Sequence, residues 1–179
     1  FWFSGTLTNN GTIVTAGNAE GGPEGLLCLY SGKSATADAG KLINNGTIVN
    51  NGRTAVVAPC SINNSGVFQN NGVLECADQL GLDGTDYTIG TFASGVTGSG
   101  EVEYTAEIHT AAALHTAVKK TTEGGEAYYG RIYVAGDNGA VTAAENVAVG
   151  RVQQLNIEKN ATLVIPAGLG LTVASEGEL

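Results

Sequence analysis

The chain has 179 residues, enough for one continuous core or two small ones. Its 8 basic and 17 acidic residues give a formal charge of -9, which argues against a nucleic-acid backbone or an anionic membrane surface as partner. With 27 glycines, 3 prolines, 42% hydrophobic residues and 6% aromatics, the composition excludes a disordered chain and points to short strands, tight turns and a core of Val, Ile, Leu and Ala.

No apolar run approaches the roughly 20 residues that span a bilayer, so membrane insertion is not expected. No charged and apolar leader opens the chain and no Met occurs in it, so it reads as a processed chain or a piece of a longer one.

In chain order, Phe1-Trp-Phe3 comes first, a hydrophobic end rung and a candidate junction or sugar contact. An internal repeat follows: Gly5-Thr-Leu-Thr-Asn-Asn-Gly-Thr-Ile-Val14 and Gly40-Lys-Leu-Ile-Asn-Asn-Gly-Thr-Ile-Val49 agree at eight of ten positions, and Ser61-Ile-Asn-Asn-Ser-Gly-Val-Phe68 is a third copy. A second Asn-Asn-Gly recurs at Asn50-Asn51-Gly52 and Asn70-Asn71-Gly72. Pairing Asn44 with Asn63 and Asn50 with Asn70 gives an outer period of 19 to 20 residues. At about 3.3 Å of rise per residue, one such coil makes three short faces and three corners.

The expected fold class is therefore all-β, a right-handed parallel β-helix of about 20 residues per coil with one short helix. A β-hairpin is the competing reading of Asn-Gly, but it does not account for the matched outer period. Inward positions are Leu7, Ile13, Leu42, Ile48, Val57, Ile62, Phe68 and Leu74. The corner residues Asn9, Asn10, Asn44, Asn45, Asn50, Asn51, Asn63, Asn64, Asn70 and Asn71 are expected to tolerate positive φ and to stack as a hydrogen-bonded ladder. The first two copies lie 35 residues apart, so an insertion is expected at about 18–39.

Residues 1–78 thus form the first set of coils, and 79–106 read as an irregular connection ending in a strand at Glu101-Val-Glu-Tyr-Thr105. Residues 107–179 read as a helix over Glu107 to Lys120 followed by further coils, with strands near 131–134, 147–149, 155–157, 161–165 and 170–173. The helix is expected either to cap one end of the coils, covering exposed strand edges, or to pack along their side. Both chain ends reach the same Gly-x-Leu phase, which predicts continuation from one copy to the next, with Phe1, Trp2 and Phe3 near the junction.

The Gly-x-Leu-x-Asn-Asn-Gly-Thr-Ile coils, the link Gly98-Ser-Gly-Glu-Val-Glu-Tyr104, the helix around Ala111 to Lys120 and the run from Leu155 to Val173 resemble bacterial cell-surface repeat proteins of the parallel β-helix type. These are broadly similar to pectate-lyase-like and adhesin solenoids. The resemblance implies secretion, surface display, and adhesion or glycan contact. On this reading the chain is an extracellular structural or assembly module, with a carbohydrate- or receptor-binding adhesin module as the alternative.

Catalytic chemistry is not expected. Lyases on this fold pair clustered acids with an Arg or Lys base on a coil face, and that pattern is missing. Asp78, Asp83 and Asp86 read as a solvated turn, with a loose calcium site as the alternative, and they fail the calcium-loop spacing. Glu101, Glu103 and Glu107 read as an exposed strand face. His109 and His115, six apart on the expected helix, do not share a face. Cys28, Cys60 and Cys76 lack zinc-site spacing and read as buried thiols, or as one disulfide and a spare. The sequons at Asn10, Asn45, Asn63 and Asn160 fall mostly on the corner motif, which explains them without a glycan. Tyr128 and Tyr129, after Gly124-Gly125, are further candidates for sugar contact, as is Tyr133. No cofactor is expected.

Overall fold

A computed structural model describes residues 1–17, 25–30, 39–89, 95–119, 129–135, 139–150 and 153–174. The strands are β1 (Trp2–Phe3), β2 (Thr6–Asn9), β3 (Thr12–Thr15), β4 (Leu26–Leu29), β5 (Lys41–Asn44), β6 (Thr47–Asn50), β7 (Arg53–Val57), β8 (Ser61–Asn64), β9 (Val67–Asn70), β10 (Val73–Leu82), β11 (Thr85–Tyr87), β12 (Val96–Thr97) and β13 (Glu101–Ile108). Helix α1 (Ala111–Lys119) follows, then β14 (Arg131–Val134), β15 (Ala140–Thr142), β16 (Val147–Val149), β17 (Gln154–Ile157), β18 (Thr162–Val164) and β19 (Leu171–Val173). The chain divides into two compact units, Phe1–Ala77 with Thr88–Glu103 and Asp78–Tyr87 with Tyr104–Leu179, so β10 and β13 contribute residues to both.

In the first unit the chain visits three sheets in turn. One carries β1, β4, β7 and β10, a second β2, β5 and β8, and a third β3, β6, β9 and β12. Each described pair is parallel and in register, with Leu7 beside Leu42 and Leu42 beside Ile62, and Ile13 beside Ile48 and Ile48 beside Phe68. This is a parallel β-helix with a 20-residue coil in its regular part, where Lys41, Thr47 and Arg53 pair with Ser61, Val67 and Val73. Parallel pairing in this order rules out the hairpin.

The inward residues Leu42, Ile48, Phe68 and Leu74 are fully buried and Ile62 nearly so. Leu7 and Ile13, in the first coil, are only half-buried. Val57 is also half-buried, because on β7 the inward positions are Thr54 and Val56, both at 0% exposure.

The expected insertion at 18–39 is not a single piece. β4 lies within it as a regular strand and pairs with β7, Leu26 beside Arg53. The rest of the expected insertion, 18–24 and 31–38, lies outside the described residues.

Between 79 and 100 a hairpin replaces part of the expected irregular connection. β10 turns back as β11 through Asp83 and Gly84, both at positive φ, the two-residue turn that Asp-Gly favours. β12 then rejoins the third sheet beside β9.

In the second unit β13, β14 and β17 form one parallel face, while β15 pairs with β18 and β16 with β19. The coil is longer, since Arg131, Ala140 and Val147 pair with Gln154, Thr162 and Leu171. Helix α1 packs Ala113, Leu114, Ala117 and Val118 into a core with Ile132, Val134, Val147 and Val149. The helix packs against β16 and β14, giving the coil an apolar cover there. It begins at Ala111, not Glu107, because Glu107 and Ile108 are drawn into β13 beside Tyr133 and Val134. Thr110 is its cap, accepting the Ala113 N–H on its hydroxyl at 3.2 Å.

Candidate functional site

The Asn-Asn-Gly corners were the strongest signal in the sequence, and they build a polar spine inside an apolar stack. Asn9 donates from Nδ2 to Asn44 Oδ1 at 2.7 Å, and Asn44 donates to Asn64 Oδ1 at 2.7 Å. At the next corner Thr15 donates to Asn50 Oδ1 at 2.6 Å, Asn50 to Asn70 Oδ1 at 2.7 Å, and Asn70 to the Glu101 carbonyl at 2.9 Å. The second amide hydrogens of Asn9, Asn44 and Asn50 go to the carbonyls of Thr47, Val67 and Val73. Asn44 and Asn50 are at 0% exposure with both hydrogens used, so these buried amides carry no unmet donor.

The outer Asn of each corner runs the opposite way. Asn45 donates back to Asn10 Oδ1 at 3.0 Å, Ser65 to Asn45 Oδ1 at 3.0 Å, and Asn71 to Asn51 Oδ1 at 2.9 Å, all at the surface. Inner amides thus donate toward later coils and outer groups toward earlier ones.

Two expectations about the corners need correction. Asn44 stacks on Asn64, not Asn63, which pairs with Ile43 in register and is exposed. Asn63 is therefore no ladder residue, while Thr15 and Ser65, unsuspected in the sequence, are. Nor do the corners adopt positive φ, since neither their Asn nor their Gly residues are among the positive-φ positions. Glycine is required for a different reason. A Cβ on Gly46 would run into the Gly11 carbonyl, one on Gly66 into that of Gly46, and one on Gly72 into that of Gly52. The corner is closed by close approach between coils.

The opening aromatics separate onto the two sides of their strand, as period-2 alternation demands. Phe1 and Phe3 turn to one side and pair at 5.7 Å. Phe1 there lines a cavity of about 380 Å³ with Leu7, Ile13, Leu26 and Leu27, at the uncovered interior of the first coil. Trp2 turns to the other side, pairing with Cys28 in register and meeting Tyr30 edge-on at 6.2 Å and 64°. Both are exposed, Trp2 at 65% and Tyr30 at 42%. On the same sheet Arg53 bonds Glu75 at 2.9 Å and Glu103 at 3.0 Å.

Tyr129 does not present itself to a ligand. It is 4% exposed, inside the core of the second unit, and donates its hydroxyl to Asp78 Oδ2 at 2.6 Å. Burial, and then Asp78, push its phenol far above the ordinary value. Tyr128 lies outside the described residues. Tyr133 sits half-buried on β14.

The three aspartates take separate hydrogen-bonding and turn roles, though Asp86 joins burial and Asp78 in raising the Tyr129 phenol. Asp78 holds Tyr129, Asp83 shapes the hairpin turn, and Asp86 accepts the Gly81 N–H at 2.8 Å. Among the described residues no group of three or more His, Cys, Asp or Glu could hold a metal ion.

His109 is not on the helix but between β13 and α1, buried, with Nε2 3.5 Å from Glu107. His115 is on the helix, and its Nε2 accepts the N–H groups of Ala144 at 3.2 Å and Glu145 at 3.3 Å, tying helix to coil. Cys28, Cys60 and Cys76 are buried and form no disulfide. Burial first, then Glu75, push the Cys28 thiol up to about 11.

No described helix is long and apolar enough to cross a membrane. Comparison with protein-family models, curated proteins and solved structures finds no match to this chain.

Proposed function

We propose that the chain is an extracellular structural and assembly module, a stretch of surface stalk or a head-to-tail filament subunit built from stacked coils. The ladder carries this reading. Buried amides handed from coil to coil fix the register of the stack and stiffen it, which suits a spacer. Surface display rests on the likeness of the Asn-Asn-Gly coils to repeat-bearing β-helix proteins of bacterial surfaces.

The partner is a further copy of the same kind of coil. Among the described residues β1, β2 and β3 pair on one side only, as do β17, β18 and β19. Leu7 and Ile13 are half-exposed where Leu42 and Ile48, one coil on, are sealed. One more rung over the first coil would seal them and fill the cavity beside Phe1. Such a contact is heterologous and propagates.

Negative-stain microscopy and light scattering across a concentration series test this. Rods that lengthen with concentration are expected. Gly11→Ala should shorten them, because nothing lies within 4 Å of a Cβ there in the single chain, whereas the equivalent Gly46 is closed by its neighbouring coil. Phe1→Glu should do the same by charging the junction. Monodisperse monomers at every concentration would overturn the assembly reading.

A further inference from the structure

We propose that Asn160 is an N-glycosylation acceptor, taking an oligosaccharide from a polyprenyl-pyrophosphate donor. The enzyme it suits is the class of oligosaccharyltransferase that demands an acidic residue two positions ahead of the asparagine. The proposal rests on the extracellular part of the reading above, since such transfer takes place outside the cytoplasm, and it goes beyond stacking.

The structure separates the four sequons. Asn45 donates its amide N–H to Asn10 Oδ1 at 3.0 Å and accepts the Ser65 hydroxyl at 3.0 Å, so it and Asn10 are both tied into the outer ladder. Asn63 lies within β8, and the hydroxyl that completes its sequon, on Ser65, is bonded to the Asn44 carbonyl and to Asn45 Oδ1. Asn160 stands outside both strand and ladder. It is exposed, with a φ of 70°, in a turn closed by the Ala161 N–H on the Glu158 carbonyl at 2.9 Å. Among the described residues neither its amide nor the exposed Thr162 hydroxyl makes a hydrogen bond.

The turn accounts for an asparagine at 160, because Asn and Gly best tolerate positive φ. It does not account for the residues on either side. Glu158 and Thr162 are exposed, and among the described residues their side chains bond nothing. Together with Asn160 they spell Glu-x-Asn-x-Thr, with Lys159 and Ala161 between them and no proline. The residues two positions ahead of the other sequons are Thr8, Ile43 and Ser61, none of them acidic. In the transfer the enzyme grips the Thr162 hydroxyl while the Asn160 amide nitrogen attacks C1 of the first sugar. The C1–O bond to the pyrophosphate breaks, the amide gives up one proton, and polyprenyl pyrophosphate leaves. An amide and a hydroxyl without protein partners are engaged at no cost in internal hydrogen bonds.

The purified, folded chain is incubated with a bacterial oligosaccharyltransferase of this class and a polyprenyl-pyrophosphate oligosaccharide, then read by intact mass and peptide mapping. A gain of a single oligosaccharide is expected, mapped to Asn160, with Asn10, Asn45 and Asn63 bare. Glu158→Gln and Thr162→Val should each abolish the gain, while Glu158→Asp and Thr162→Ser retain it. Asn160→Gly keeps a residue that suits the turn, so it should melt as the parent does and gain nothing. A free peptide covering 156–164 tests the acceptor sequence without the fold. A modified peptide beside a bare folded chain would overturn the proposal, as would a peptide that stays bare. Modification at Asn10, Asn45 or Asn63 in place of Asn160, or an undiminished gain in Glu158→Gln, would do the same. Rod formation is measured separately, so rods with a bare Asn160 would sink this proposal alone, and a modified Asn160 without rods would sink stacking alone.

Discussion

Asn50 shows what a single residue does in this chain. It sits at zero exposure and meets Thr15, Asn70 and the Val73 carbonyl with one acceptor and two donors. Asn50→Asp keeps the shape but replaces two donors by a charge aimed at two oxygens, so a loss of about 3–5 kcal/mol in urea unfolding is expected. Asn63→Asp, on the exposed side of its strand, should cost about 0.5 kcal/mol or less. Equal losses would contradict the assigned ladder. Cys28 gives a pH signature. Its folded-state thiol is held near 11, above the ordinary thiol range, so the unfolded chain releases that proton first as pH rises. Its contribution is present below about 9 and lost as pH climbs toward 11. Denaturant midpoints should therefore fall over that window, and Cys28→Ala should flatten the fall. At pH 8 a thiol reagent should label Cys28 only as fast as the chain opens. The missed register at Asn63 has a local cause. The third copy reads Asn63-Asn64-Ser65-Gly66, so aligning on the first Asn gives 19, while aligning on the glycine gives 20 from Gly46. The glycine is the sterically pinned position and was the better guide.

At the scale of elements, each strand is decided by which face meets the core. Ile48→Ala on β6 should cost about 2–5 kcal/mol from transfer and cavity together, while Thr47→Lys beside it should cost about 0.5 kcal/mol or less, both read from thermal melts. The same contrast tests the corners. Gly46→Ala must push a coil off the Gly11 carbonyl and should destabilise clearly, whereas Gly11→Ala, at the same motif position in the first coil, should leave the single chain's melting point nearly unchanged. Period-2 alternation made most of these strands readable. β4 escaped because extra residues both before and after it in the sequence break the 20-residue spacing, which hid a regular strand inside what read as one long excursion. β13 ran further than its pattern, since Glu107 and Ile108 gained partners on β14 that no local propensity reveals. The Asp83-Gly84 hairpin was legible in principle, as Asp-Gly between two short strands, but its aspartates drew attention as a charge cluster instead.

At the scale of the whole molecule, charge sets a firm expectation. A net -9 predicts no retention on heparin or on immobilised duplex DNA at low ionic strength, and salt-dependent retention would contradict it. The sequence by itself determined the fold class and the 20-residue coil of the first unit, because a three-faced coil cannot bury its inward residues alone and must repeat its corners at a fixed interval to stack; the longer coil of the second unit, which has no such corner motif, was not legible. It also determined most of the inward residues, through their spacing around the Asn-Asn-Gly corners. The tertiary structure decided what depends on neighbours from other coils. It set which Asn of each pair is inside, why the corner needs glycine, and where β13 ends and α1 begins. It also turned Phe1 and Phe3 toward the stack and Trp2 toward Tyr30, and buried Tyr129 on Asp78. The physical reason is the same throughout. Periodicity along a chain fixes what one coil must bury, whereas the direction of a side chain at a corner or an end is fixed only by the coil above or below it.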